Sequence, residues 1–208
     1  MEQQSAVDLQ QAVLHLRDSD PRLAAIIGQV GPYRQPSAAR GFAPLVRSIV
    51  AQQLAGSAFR AIQARLEAFF DGGEVGAERL LELSTDELRS TGLSYRKIEY
   101  LRDLAARVLE GSIDFEKLET MDDEAVIEAL TRVRGIGRWT AEMYLLALKR
   151  PDVFPIGDLG IRVAMREVYQ LEDDNFESRA REIAERWRPY RSIACWYLYT
   201  YLNESRGR

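Results

Sequence analysis

The run Val133-Arg134-Gly135-Ile136-Gly137-Arg138-Trp139-Thr140-Ala141 constrains this chain more than any other segment. Apolar residues recur at three-to-four spacing on both sides of it, so two helices meet here, and the glycines let the backbone turn tightly between them. Such a hairpin leaves the amides around Gly135, Gly137 and Arg138 at the start of the second helix. Donors there lack intrahelical partners and the helix dipole favours an anion, so they can converge on one phosphate oxygen. The outward carbonyls of Val133, Arg134 and Ile136 offer a seat for a monovalent cation, Na+ or K+. The plainer reading is a tight helix–helix turn with no ligand at all. Downstream, Phe154-Pro155-Ile156-Gly157-Asp158 brings a lone carboxylate to the start of the next helix. A phosphate grip followed by a carboxylate points to an enzyme acting on DNA.

The rest of the chain reads as helix. Apolar periodicity predicts helices over 6–17 and 22–29, the second opened by the cap-and-proline pair Asp20-Pro21. A loop at 31–37 precedes helices near 41–54 and 57–70, the latter stopped by Asp71-Gly72-Gly73. Ser84-Thr85-Asp86-Glu87 is a capping box whose short helix ends at Gly92. Further helices are expected to about Leu109 and over 122–133, 138–149, 159–170, 176–186 and 190–203. Val153-Phe154 is too short to found a sheet, so the expected class is all-α. No repeat or flexible linker divides the chain. The expected division is into two helical lobes with an active-site cleft between them. Residues 1–39 pack with 153–208 in one lobe, and 40–152, with the hairpin at 133–138, form the other. The Pro151–Asp158 connection is the expected cleft edge.

Composition removes many functional classes. Among 208 residues there is one cysteine, Cys195, and one histidine, His15. That excludes an internal disulfide, a thiolate zinc site, an iron–sulfur cluster, Ser-His-Asp catalysis and multi-histidine metal sites. His15, within Ala12-Val13-Leu14-His15-Leu16, is read as structural. The start of the chain lacks the layout of a secretory signal, and a cytoplasmic, nucleoid-associated location is expected if the source is bacterial. The net charge of −4, from 28 basic and 32 acidic residues, argues weakly against nucleic acid. Phosphate affinity follows the local field, however, and Arg132, Arg134 and Arg138 bracket the hairpin while Arg96-Lys97 follow another glycine turn.

Gly135-Ile136-Gly137-Arg138-Trp139-Thr140-Ala141 resembles the helix-hairpin-helix signature of the DNA glycosylase superfamily, with Asp158 lying 21 residues after Gly137, at the spacing of that family's catalytic aspartate. Several further runs resemble the 3-methyladenine DNA glycosylase II branch, from about residue 20 to 200. They are Asp20-Pro21-x-Leu23 with Ile27, and Phe42-x-x-Leu45-x-x-Ser48-Ile49-Val50-x-Gln52-Gln53. Gly92-Leu93-x-x-x-Lys97 and Arg186-Trp187-x-Pro189-Tyr190-Arg191-Ser192 complete the set.

The resemblance implies an enzyme that flips an alkylated purine out of damaged double-stranded DNA and hydrolyses its glycosidic bond. Asp158 would stabilise oxocarbenium charge at C1′ and orient or deprotonate the attacking water; its plainer role is a helix cap. Trp139 stands where relatives that also cut the backbone carry a Schiff-base lysine, which implies a monofunctional enzyme leaving an abasic site. Its π-face would attract a cationic alkylpurine, in a base pocket completed by Met143 and Tyr190. Met143 departs from the aromatic of the best-known bacterial member and leaves the substrate range open. Gln53, with Leu54 as the second candidate, would wedge into the gap left by the flipped nucleotide. Gly135, Gly137, Arg138, Thr140, Arg134, Arg96 and Lys97 would hold DNA phosphates. Trp187 and the Trp196-Tyr197-Leu198-Tyr199-x-Tyr201 cluster are read as packing. No cofactor is expected beyond the hairpin cation, the enzyme is expected to be a monomer, and the early start of the helices suggests the compact form without an N-terminal β-rich domain. The alternatives are excision of another base, such as 8-oxoguanine or uracil, and a non-catalytic helix-hairpin-helix DNA-binding module.

Overall fold

The computed structural model describes residues 8–54, 56–70 and 74–207, and among them it is all-α. In chain order the helices are α1 (Leu9–Ser19), α2 (Pro21–Val30), α3 (Phe42–Ala51), α4 (Gly56–Glu67), α5 (Ala77–Glu82), α6 (Thr85–Ser90) and α7 (Tyr95–Leu109). They continue with α8 (Phe115–Thr120), α9 (Asp123–Thr131), α10 (Arg138–Ala147), α11 (Leu159–Tyr169), α12 (Phe176–Glu185) and α13 (Arg191–Ser205). Single 3-10 turns occupy Ala68–Phe70 and Asp173–Asn175. The expected stop at Asp71-Gly72-Gly73 and the first residues of the helix expected from residue 6 lie outside the described residues.

Caps explain most helix starts. The carboxylates of Asp8, Asp20, Asp114 and Asp122 and the hydroxyl of Ser94 each accept an amide hydrogen from the first turn of the following helix. The Ser84–Glu87 capping box is complete in both directions. Two short helices escaped the sequence reading. α5 and α8 are six residues each, too short to display a 3.6-residue period, although Asp114 marks the start of α8. The helix expected over 41–54 ends at Ala51, and the residues beyond it form a turn described below.

The chain forms two compact units, one combining the chain up to Ser37 with the chain from Lys149 onward, the other Ala38–Leu148. In the first, α13 packs on α1, α2 and α11. Its core gathers Leu16, Leu23, Ile27, Met165, Tyr197 and Leu198 around the fully buried Trp187. Asp20, only 2% exposed, organises this core. One carboxylate oxygen caps α2, and the other accepts hydrogen bonds from the Tyr169 hydroxyl at 2.8 Å and the Trp187 indole N–H at 3.0 Å. A buried carboxylate is tolerated only when its lone pairs are so engaged. In the second unit, α5 lies along α7, α9 along α10, and α3 touches α4, α7 and α10. Leu45, Ile49, Leu66, Leu80, Leu101, Leu130 and Leu145 are buried there.

Candidate functional site

The hairpin joins α9 to α10 within the second unit. Gly135 takes a positive φ of 80°, and a Cβ at that position would lie 2.1 Å from the Tyr100 ring of α7. Glycine is therefore required twice, for the turn and for the ring lying against it. Val133 and Ile136 are buried beneath the hairpin, whereas Arg134 and Gly137 are exposed. Two contacts from distant segments and one within the turn hold it. Asp103 on α7 accepts the Arg134 amide hydrogen at 2.9 Å, and the Gln52 side-chain amide donates to the Gly135 carbonyl at 2.8 Å. The Ile136 amide donates to the Val133 carbonyl at 3.1 Å. Of the three carbonyls considered for a cation, that of Val133 thus already accepts one hydrogen bond. Burial disfavours the charged form of Asp103, but the Arg134 amide and the Arg107 guanidinium outweigh it and hold the carboxyl below its ordinary value.

Several residues expected to grip phosphate are employed differently. Lys97 is the clearest correction: its ammonium donates to the Val50 and Gln52 carbonyls, both at 2.7 Å, and so closes the C-terminus of α3. Desolvation pushes its pKa down. Thr140 is only 3% exposed, so its side chain is not a surface phosphate ligand. The Arg138 guanidinium binds Glu124 through both terminal nitrogens and Glu142 through Nε at 3.1 Å. The Arg138 hydrogen bond holds Glu124 below its ordinary pKa. Arg132 likewise pairs with Glu128. Acidic residues of α9 therefore neutralise two of the three arginines that bracket the hairpin, which corrects the expectation of a simple basic face. Arg134 and Arg96 are exposed.

Gln53 and Leu54, the candidate wedges, sit on a tight turn rather than at a helix end. Gln52 has φ −51° and ψ 129°, Gln53 has φ 56°, and the Leu54 amide donates to the Ala51 carbonyl at 3.2 Å. This is a type II turn whose left-handed position is normally glycine or asparagine. Gln53 is exposed and Leu54 half-buried, so the tip presents the polar side chain. A non-glycine residue at positive φ costs about 1–2 kcal/mol and persists only where neighbours fix it.

On α10, Trp139 is 41% exposed, and Met143, one turn later on the same face, is half-buried. Part of the Trp139 ring therefore faces solvent on this side of α10.

Asp158 belongs to the first unit. Residues Val153–Ile156 are buried, and their loop is tied to α13: the Ser192 amide donates to the Pro151 carbonyl at 3.0 Å and the Val153 amide to the Ser192 hydroxyl at 2.9 Å. Arg191 grips Asp152 at 2.7 and 3.0 Å, with Arg188 adding a third contact at 2.7 Å. A loop so fixed delivers Asp158 to a defined place at the N-terminus of α11. There Asp158 Oδ1 accepts the Ile161 amide hydrogen at 3.0 Å, and the residue is half-buried. Both readings of Asp158 are therefore compatible, since the cap orients the carboxylate without burying it.

Tyr199, read from sequence as packing, lies beside this carboxylate. Its hydroxyl is buried, and burial together with the Asp158 charge pushes its pKa up. A Cβ at Gly160 would lie 2.8 Å from the Tyr199 ring and 3.0 Å from Asp158 Oδ1, so glycine lets the three meet. The signal available in the sequence was the Ser192–Cys195–Tyr199 spacing, which puts Tyr199 on the face of α13 that holds the loop. Tyr190, the third pocket candidate, is half-buried, with its ring edge-on to His15 at 5.5 Å. Trp187 is core, as read from sequence.

Comparison with known proteins accounts for this set of features. Residues 46–189 match the model of the HhH-GPD superfamily base excision DNA repair protein. The chain belongs to the HhH-GPD superfamily. Among HhH-GPD relatives, it is 33% identical over 197 residues to DNA-3-methyladenine glycosylase 1 of Schizosaccharomyces pombe, covering 92% of this chain and 86% of that one. The crystal structure of DNA-3-methyladenine glycosidase from Bacillus halodurans superposes with a TM-score of 0.85 at 35% identity, over 95% of this chain and 91% of the other. The 3-methyladenine DNA glycosylase of S. pombe, solved in complex with abasic DNA, gives a TM-score of 0.82 at 32% identity, over 91% and 95% of the two chains. The all-α fold expected from sequence is thus the fold of this superfamily.

Proposed function

We propose that this protein is a monofunctional DNA glycosylase that excises alkylated purines of the 3-methyladenine type from double-stranded DNA. The observation that carries the reading is Asp158: a half-exposed carboxylate oriented by the Ile161 amide, on a loop anchored through Asp152 and Ser192, in an HhH-GPD chain. The names of the three similar proteins given above, 3-methyladenine glycosylases or glycosidases, point to the same substrate class.

The chemistry needs few groups. A 3-alkylated adenine carries positive charge and leaves as a neutral base when the C1′–N bond breaks, so the electron pair of that bond stays with the base. Positive charge then develops on the sugar, and the Asp158 carboxylate stabilises it. Water adds to C1′ and loses a proton to Asp158, giving an abasic sugar and free base. Trp139 offers its exposed π-face to the cationic base, with Met143 beside it on α10, and Tyr190 of the other unit is the remaining base-pocket candidate. The hairpin amides hold phosphate, Gln53 fills the vacated stack, and a monovalent cation on the hairpin carbonyls would complement the phosphate charge. With tryptophan at 139 there is no amine after Gly137-Arg138 to form a Schiff base, which supports hydrolysis without strand cleavage. Action as a monomer in the cytoplasm, with one lobe carrying Asp158 and the other the hairpin, belongs to the same proposal.

The test is release of 3-methyladenine from duplex DNA by wild type and Asp158→Asn, followed by alkali treatment. The expected result is base release by the wild type alone, with strand breaks appearing only after alkali. Equal release by both proteins would remove Asp158 from the mechanism, and breaks without alkali would refute the monofunctional reading.

A further inference from the structure

The turn bearing Gln53 and the glycine hairpin are far apart in sequence, yet two side chains lock them together. Gln52 is the residue before Gln53. Its side-chain amide spans 83 residues of sequence to reach the Gly135 carbonyl at 2.8 Å, at the apex of the hairpin. Its own backbone carbonyl is held by Lys97, which also takes the Val50 carbonyl, each at 2.7 Å. Lys97 thus fixes the last turn of α3 and the central peptide of the type II turn at once. The outcome is a continuous chain of contacts: Lys97 to the α3 terminus, the α3 terminus to Gln52, and Gln52 to Gly135. Helix α7 closes the circuit, because it carries Lys97 and also Tyr100 and Asp103, which seat the hairpin from below.

We propose that Gln52 and Lys97 are positioning residues that make the Gln53 turn and the glycine hairpin one rigid body, so that phosphate capture sets the register of wedge insertion. The roles of hairpin and wedge rest on the glycosylase reading above; the brace itself is a property of the free protein. The physical reason for such a device is the left-handed backbone at Gln53. An exposed turn with a glutamine at φ 56° would relax if left unsupported, and a wedge free to swing loses the benefit of a duplex already held. Lysine suits the task because its single ammonium can donate to two convergent carbonyls. Glutamine suits it because a carboxamide offers an N–H donor without introducing charge beside a phosphate site. Lys97, expected from sequence to hold a phosphate, thus works with Gln52 on the protein's own backbone.

The test compares wild type, Gln52→Met and Lys97→Met in two measurements. In the free protein, amide hydrogen exchange is read at Leu54 and Ile136, whose N–H groups close the two turns at 3.2 and 3.1 Å. Exchange at both sites is expected to quicken by about tenfold in Gln52→Met, and first at Leu54 in Lys97→Met. With lesion duplex, single-turnover base release is expected to fall by about tenfold while the duplex dissociation constant stays within about threefold. A 2-aminopurine beside the lesion reports the loss as slower flipping. Thermal melting of each variant identifies any global unfolding, and the second variant answers if the first does not fold. Unchanged exchange at both amides overturns the brace, and faster exchange with wild-type base release overturns its role in register. If wild type releases no base, the glycosylase reading has failed, and the exchange data still decide the brace.

Discussion

Replacing Gly135 with alanine separates two costs that the hairpin imposes. The first is backbone: alanine at φ 80° costs about 1–2 kcal/mol, partly offset by the lower unfolded-state entropy of alanine, worth about 0.5–1 kcal/mol. The second is steric. The new methyl would lie 2.1 Å from Tyr100 Cδ2 and 2.4 Å from Cγ and Cε2, so the ring must move by more than an ångström. Overpacking of that kind costs about 1–3 kcal/mol. The sum is about 1.5–4 kcal/mol, which for a chain of this size lowers Tm by roughly 3–16 °C. A double-mutant cycle isolates the steric part, since Tyr100→Ala removes the ring. Gly135→Ala should then cost about 1 kcal/mol or less, leaving a coupling of about 1–3 kcal/mol. Urea unfolding of the four proteins measures it. Equal costs of Gly135→Ala in both backgrounds would refute the assignment of Tyr100 as the residue that confines the hairpin. Duplex affinity should fall in Gly135→Ala and partly recover in the double variant, because the ring, rather than the methyl, displaces the amides.

Three further outcomes are expected. Gln53→Gly relieves the left-handed backbone and should leave Tm unchanged or raise it by about 1–3 °C while slowing base release at saturating DNA; a fall in Tm would deny strain at the turn. Asp20→Ala should destabilise by about 3–5 kcal/mol in urea, from a lost cap and the buried Trp187 and Tyr169 donors left unpaired, and a loss below 1 kcal/mol would show that these bonds are replaced. Asp103 has a lowered folded-state pKa, so its hold on the Arg134 amide is complete above the ordinary aspartate value of 3.8 and fades as pH falls through the lower folded-state value. Exchange of the Arg134 amide, corrected for intrinsic rate, should therefore become less protected only in that acid window, and Asp103→Asn should flatten the profile.

Helix positions were largely legible because their signals are local. Capping side chains, prolines and apolar periodicity act within one or two turns, so Asp20-Pro21 and the Ser84–Glu87 box marked helix starts that the structure contains. Helices α5 and α8 were missed because six residues do not establish a period. The end of α3 was misjudged for a different reason. Nothing near Ala51 stops a helix; Lys97, forty-seven residues from Val50, donates to the carbonyls left open at its end.

The candidate site divides in the same way. The glycine hairpin and the capping geometry of Asp158 follow from backbone rules that any chain with those residues obeys, so the sequence by itself determined them. The employment of the charged side chains was decided by tertiary structure. Arg138 and Lys97 look alike in sequence as phosphate ligands, but one meets carboxylates of α9 and α10 and the other meets carbonyls at the end of α3. Tyr199 beside Asp158 and Gln52 on Gly135 depend on which helix faces pack together. A long polar side chain can reach many partners, and only the packed fold selects among them, whereas a turn or a cap is complete within the few residues that encode it.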